Sequence, residues 1–132
     1  AARDKKRITE SLCTALDVPT YQQRRAVAAM SQMNLDRFGQ QKRIEKVALC
    51  TIGLVVDRER RRYFLQGNDP REVDLSAASQ QRFPDRFSQN EDFQDLCSQH
   101  GVSDDDHYSV TQLVKAELKR IGYFERENQP LQ

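Results

Sequence analysis

The chain has 132 residues, 31% of them charged and 37% hydrophobic, which is the size and composition of one globular domain. Five glycines and four prolines are too few for a turn-rich β-barrel or β-sandwich. The longest apolar run, residues 47–56, is too short for a membrane helix, which needs about 20 residues. We therefore expect a single helical domain over residues 1–132, without membrane association.

The net charge of +1 conceals a strong charge asymmetry along the chain. Residues 1–62 hold 14 lysines and arginines against 7 acidic residues, whereas residues 63–132 hold 7 against 13. A basic half attracts phosphates or an acidic protein, and such binding weakens as salt is added. The alternative is that the two halves pair their charges within the fold.

The first two predicted helices are amphipathic. In the first, residues 4–16, apolar side chains recur every four residues, at Ile8, Leu12 and Leu16. Pro19 interrupts this pattern, and Thr20 is expected to cap the second helix, residues 21–33. The second helix has one apolar face, which consists of Ala26, Met30 and Met33.

The third predicted helix, residues 43–63, is apolar on nearly all sides. Its apolar residues are Ile44, Val47, Ala48, Leu49, Ile52, Leu54, Val55 and Val56. Because a helix that is apolar all round is buried all round, we expect it to be the central helix of the domain. Its basic end, residues 57–62, should emerge into solvent, where cations favour the negative end of the helix dipole.

Residues 66–90 are predicted to form a polar surface connection, with a short helix near residues 75–81 and two aromatic anchors, Phe83 and Phe87. Asn90 should cap a fourth helix, residues 91–99, whose inner face consists of Phe93, Leu96 and Cys97.

Ser103 and the three aspartates that follow it are expected to open the fifth helix, which ends near Gly122. Its apolar stripe is Val110, Leu113, Val114, Leu118 and Ile121. No segment has the alternating pattern of a β-strand, so the fold class is predicted to be all-α.

Several motifs carry a resemblance to known families. The segments Ile8–Pro19 and Lys42–Cys50 resemble the first helix and the start of the buried third helix in a core repeat of archaeal transcription factor B, which is a cyclin box. Four motifs are similar to the haloarchaeal family named RNA polymerase subunit epsilon: Leu16–Pro19, Leu35–Gly39, Lys46–Leu49 and Val55–Arg62. The resemblance covers about residues 8–120. It implies a five-helix cyclin-like bundle around the third helix, and binding to RNA polymerase.

Seven basic residues of the third helix are the candidate site for a nucleic acid or a protein partner: Lys42, Arg43, Lys46, Arg58, Arg60, Arg61 and Arg62. They form two clusters about 22 Å apart, at 1.5 Å per residue, so a neighbouring element would have to join them. The candidates for that element are Lys5, Lys6, Arg7, Arg24 and Arg25. We expect the second cluster to be mostly exposed, with weak surface pairs to Asp57 or Glu59. The alternative is that both clusters are solvated faces.

Catalytic and metal-binding patterns are weak. The two histidines, His100 and His107, form no triad by spacing, and the five glycines stand singly, so neither an enzyme nor a cofactor is predicted. With Cys97 these histidines could ligate zinc, but a structural zinc site needs four ligands, and no metal site is predicted. The three cysteines, an odd number far apart, predict reduced buried thiols and a cytoplasmic location.

Residues 91–122 have the outline of a helix-turn-helix. The second helix of such a motif would bring Asp104, Asp105 and Asp106 towards DNA phosphates, which repel them. Packing is therefore the favoured role of this helix pair.

Three functional hypotheses remain open at this stage. The first is a transcription-associated, non-enzymatic module that binds RNA polymerase or another transcription protein, with non-specific contacts to DNA phosphates as an option. The second is a protein-interaction adaptor that contacts no nucleic acid, and the near-zero net charge favours it. The third is a small helical enzyme. No membrane and no small-molecule substrate is expected.

Overall fold

The computed structural model describes residues 2–65 and 86–127, and every regular element in these two ranges is helical. The α-helices are α1 (Ala2–Ala15), α2 (Thr20–Gln32), α3 (Ile44–Leu65), α4 (Glu91–Gln99), α5 (Asp104–Arg120) and α6 (Tyr123–Glu127). Two 3-10 helices, Leu35–Gln41 and Phe87–Gln89, precede α3 and α4. The predicted all-helical class is confirmed. In the described ranges, none of the helices is both long enough and apolar enough to cross a membrane.

Helix α3 is the centre of the packing. It contacts α1, α2, α4, α5 and both 3-10 helices. The side chains from Val47 to Ile52 are fully buried, and so are those of Val55 and Val56. The all-round apolar pattern of this segment correctly predicted a buried central helix.

Close contact between α3 and α4 depends on a glycine. A Cβ atom at Gly53 would lie 3.0 Å from the ring of Phe93, so the missing side chain lets this ring pack against the backbone of α3. Phe93 in turn contacts Phe87, with ring centroids 5.4 Å apart. Phe87 is buried, which confirms it as an anchor of the connection. Phe83 and the predicted helix at residues 75–81 lie outside the described residues.

The helix caps agree with the sequence at two of three places. The Asn90 side chain accepts a hydrogen bond from the backbone N–H of Asp92. The Ser103 hydroxyl accepts one from Asp106 N–H, and the Asp106 carboxylate accepts one in return from Ser103 N–H, which completes a capping box. The cap predicted at Thr20 is wrong. Thr20 is the first residue of α2, and Pro19 precedes it without any side-chain cap.

The buried face of α5 differs from the predicted stripe at two positions. Val110, Val114 and Leu118 are fully buried, but Leu113 is 37% exposed, and its prediction as a core residue is wrong. A helix turns by about 100° per residue, which places Leu113 at the edge of the face that these three residues define. Glu117 lies inside the same face and is buried.

Candidate interaction groove

The first basic cluster is engaged within the protein. Arg43 donates a hydrogen bond to the carbonyl oxygen of His100, at the end of α4. Lys46 donates to the Gln41 side chain at 2.9 Å, and its Nζ lies 3.5 Å from a carboxylate oxygen of Asp106. These two cations therefore hold the turn between α4 and α5 against the start of α3. Lys42 is exposed.

The second basic cluster is less exposed than the sequence predicts. The Arg58 guanidinium lies 4.2 Å from the ring centroid of Phe124, and that of Arg60 lies 5.2 Å from the ring centroid of Phe87. Both arginines are half-buried, so the expected exposure is wrong for them, because aromatic rings from α6 and the second 3-10 helix cover this end of α3. Arg61 is exposed, and the Arg62 side chain lies outside the described part of the chain.

The two acidic residues of this segment are internal anchors rather than the expected surface partners. The Asp57 carboxylate accepts hydrogen bonds from Phe87 N–H at 2.6 Å and from the Ser88 hydroxyl at 2.8 Å. Glu59 is buried, and its carboxylate lies 3.1 Å from Nε of Arg25 on α2. Asp57 therefore fixes the second 3-10 helix to α3, and the Arg25–Glu59 pair joins α2 to α3.

Two of the residues proposed to join the clusters, Lys5 and Arg25, lie at different ends of α3. Lys5 lines an open cleft with Lys42 and Arg43, and donates to the carbonyl oxygen of Met33. Arg25 lies at the opposite end of α3, against Glu59. The structure therefore keeps the two basic clusters as separate features of α3.

A groove between α3 and α5 gathers two arginines of the second cluster with cations from other parts of the chain. Its cavity has a volume of about 470 Å³. Its basic lining residues come from α3, the second 3-10 segment and α5, and they are Arg58, Arg61, Arg86 and Lys115. Among the described lining residues the one acidic side chain is Asp57, which already accepts two hydrogen bonds. Half-buried Leu54 contributes apolar surface, and Tyr108 is 68% exposed beside it.

A second cavity, of about 350 Å³, adjoins the first between α4 and the start of α5. The two share Arg86, Ser88 and His107 as lining residues. Burial lowers the pKa of His107, an effect that the carboxylates of Asp104 and Asp57 oppose, so His107 is neutral at pH 7. The far end of the second cavity is lined by Asp104. Together the two cavities form one groove, which we call the α3–α5 groove, with a basic end and an acidic end.

Sequence reasoning found two of the four cations in the α3–α5 groove, Arg58 and Arg61, and missed Arg86 and Lys115. A signal for Lys115 does exist, because Tyr108 and Lys115 are seven residues apart and so share one face of a helix. Arg86 follows a long connection in the sequence, and no pattern indicates which helix it lies beside.

The three thiols carry no sign of catalytic use. All three are free and buried. Burial raises the pKa of Cys13 and Cys50 to about 12 and that of Cys97 to about 11, so each is protonated at neutral pH and is a poor nucleophile. In the described ranges, no group of three or more His, Cys, Asp or Glu side chains is placed to hold a metal ion.

We expect a thiol-specific reagent at pH 8 to label Cys13, Cys50 and Cys97 slowly in the folded domain, because each must be exposed before it reacts. Denaturant should raise the labelling rate to that of a free thiol. Rapid labelling of any one cysteine in the native domain would contradict this burial. Zinc bound in a fixed ratio, as measured by elemental analysis, would contradict the prediction that the domain has no metal site.

Comparison with known proteins finds no matching family model, and no match among curated proteins or solved structures. The resemblance to a cyclin box and to the epsilon subunit of RNA polymerase therefore stays a prediction. The case for a function depends on the motifs and on the geometry of the α3–α5 groove.

Proposed function

We propose that this domain is a non-enzymatic, transcription-associated module that binds RNA polymerase through the α3–α5 groove. The observation that carries the proposal is the convergence of Arg58, Arg61, Arg86 and Lys115 on one cavity. Three of these cations are exposed, so they can attract an acidic protein surface and steer its approach.

RNA polymerase is named as the partner because of the motif resemblance described above. The cyclin-like arrangement belongs to the same proposal, and the buried position of α3 is what that arrangement requires. The non-enzymatic part of the proposal is supported by the three buried thiols, which burial keeps protonated at neutral pH.

A second candidate is an adaptor that contacts no nucleic acid, and two observations favour it over DNA binding. Arg43 and Lys46 are engaged with His100 and Asp106, which reduces the basic surface open to a duplex. Asp104 lines the far end of the groove and would repel a phosphate backbone. Within the main proposal, contacts with DNA phosphates are therefore secondary to contacts with protein.

Affinity purification from the source cells tests the proposal. We expect the tagged domain to capture RNA polymerase subunits, identified by mass spectrometry, after lysis at low salt. The double variant Arg61→Glu with Lys115→Glu should capture much less, because it reverses two exposed cations of the groove. A wash at high salt should also release the complex, since screening weakens contacts between exposed charges.

The matched control is Arg24→Glu with Lys119→Glu, which changes the net charge equally at exposed positions outside the groove. It should capture polymerase as the wild type does. The absence of polymerase subunits from the wild-type sample would contradict the proposed partner. Equal capture by the groove variant would contradict the proposed site.

A further inference from the structure

We propose that the α3–α5 groove binds a linear segment of its partner protein whose charge is bipolar, acidic at one end and basic at the other. This inference rests on the proposed function, because it specifies which part of the partner occupies the groove. It is carried by the distribution of charge along the two adjoining cavities.

The basic end fits carboxylates. Arg61 and Lys115 are exposed on opposite walls of the first cavity, one from α3 and one from α5. Arg58, on the same wall as Arg61, is held in place by its stacking on Phe124. Glutamate or aspartate side chains placed between these walls would meet cations on both sides, and an arginine can bind a carboxylate through two parallel hydrogen bonds.

The middle of the groove, where the two cavities meet, is lined by Arg86, Ser88 and His107, and it fits an aromatic side chain, which can stack on a guanidinium. His107 is neutral at pH 7 because burial lowers its pKa, and Ser88 is hydrogen-bonded to Asp57. Tyr108, which follows His107 on α5 and lines the first cavity, is 68% exposed and offers its ring as a contact surface for an apolar residue of the segment.

The acidic end of the groove favours a peptide over a nucleic acid. Asp104 lines the second cavity and lies one helical turn before Tyr108, on the same face of α5. A nucleic acid carries a negative charge at every nucleotide, so a strand that follows the groove would bring a phosphate to this carboxylate. A peptide can place a lysine or arginine there and glutamates at the other end.

The span of α5 sets the spacing of the two charged ends. Asp104 and Lys115 are eleven residues apart on one helix, which corresponds to about 16 Å at 1.5 Å per residue. An extended peptide covers this distance with about five residues at 3.3 Å each. The preferred segment therefore has acidic and basic side chains about five residues apart.

Fluorescence anisotropy with three dye-labelled probes tests the inference on the purified domain. The first probe is a peptide with three glutamates, a four-residue spacer that contains one phenylalanine, and three lysines. The second has the same composition with its charges alternating, and the third is a single-stranded oligothymidylate of similar length. We expect the segregated peptide to bind at least about fivefold more tightly than either of the others.

Charge reversal at each end adds a matched test. Asp104→Lys should weaken the binding of the segregated peptide by about fivefold and strengthen the binding of the oligonucleotide, because it makes the acidic end of the groove basic. Lys115→Glu should weaken the binding of the same peptide to a similar degree. The controls Asp105→Lys and Lys119→Glu change neighbouring exposed residues that line neither cavity, and they should change the affinity by less than about twofold.

Three results would overturn the inference: equal binding of the segregated and alternating peptides, tighter binding of the oligonucleotide, or no peptide binding at all. The affinity purification described above reports separately on the proposed function. Capture of polymerase together with any of these three results would reject the bipolar segment and leave the polymerase partner intact.

Discussion

Ile52→Asp is expected to destabilise the domain severely. Ile52 lies in the middle of α3 and has no exposed surface, so the new carboxylate would be buried among apolar side chains without a partner. We expect a loss of about 3–5 kcal/mol or more in the free energy of unfolding. Domains of this size are stable by only about 5–15 kcal/mol, so the loss removes a large part of the stability and unfolds a domain at the lower end of this range. Circular dichroism during a thermal melt measures this loss of stability.

Leu113→Asp is the matched control for this variant. It introduces the same carboxylate into another helix, at a leucine that is 37% exposed, where water can hydrate the charge. We expect its melting temperature to stay close to that of the wild type. If Ile52→Asp melts as Leu113→Asp does, α3 is not the buried centre of the domain.

Glu117→Gln is expected to have the second largest effect on stability. The Glu117 carboxylate is buried, and it accepts hydrogen bonds from Arg120 at 2.7 and 3.0 Å and from Asn34 N–H at 2.9 Å. Arg37 lies 3.2 Å from the same carboxylate. These contacts join α5 to the segment between α2 and α3. Loss of the charge should cost about 2–3 kcal/mol, a limited cost because both arginines are about half exposed and can be hydrated.

The same carboxylate should make stability depend on pH. Hydrogen bonds from Arg120 hold the folded-state pKa of Glu117 below its ordinary value of 4.5, although burial opposes this. The folded domain therefore binds this proton less readily than the unfolded chain does. The stabilisation is complete above pH 4.5 and is lost as the pH falls through the lower, folded-state pKa.

Denaturant melts of the wild type and of Glu117→Gln at several pH values between 3 and 7 measure this contribution. We expect the two unfolding free energies to differ most at pH 7 and to converge as the solution becomes acidic. Glu125→Gln, at an exposed position on α6, is the control and should follow the wild type. A difference between the wild type and Glu117→Gln that stays constant with pH would show that the ionised carboxylate is not what stabilises the fold.

The sequence predicted most of the helices because their signals are local. The all-round apolar pattern marked α3, and the Asn90 and Ser103 caps marked the starts of α4 and α5. The errors arose where a local rule competes with the tertiary environment. Leu113 is apolar yet lies at the edge of the buried face, and Glu117 is charged yet buried because arginines from two elements reach it.

The candidate site was predictable in part. A run of arginines at the end of an apolar helix pointed to Arg58 and Arg61, which do line the groove. The sequence could not show that Arg43 would bond to the carbonyl oxygen of His100, 57 residues away along the chain. It also could not show that Arg86 and Lys115 would line one cavity, because their placement depends on how α5 packs against α3 and not on any local pattern.

The central claim is that the α3–α5 groove is the surface that contacts RNA polymerase, and photo-crosslinking tests it most directly. A benzoylphenylalanine in place of Gln112, which lines the groove, is irradiated with purified polymerase, and the same residue in place of exposed Ser11 on α1 is the control. We expect a covalent adduct from position 112, mapped to an acidic segment of one polymerase subunit, and none from position 11. Adducts from both positions in equal yield, or from neither, would contradict the claim.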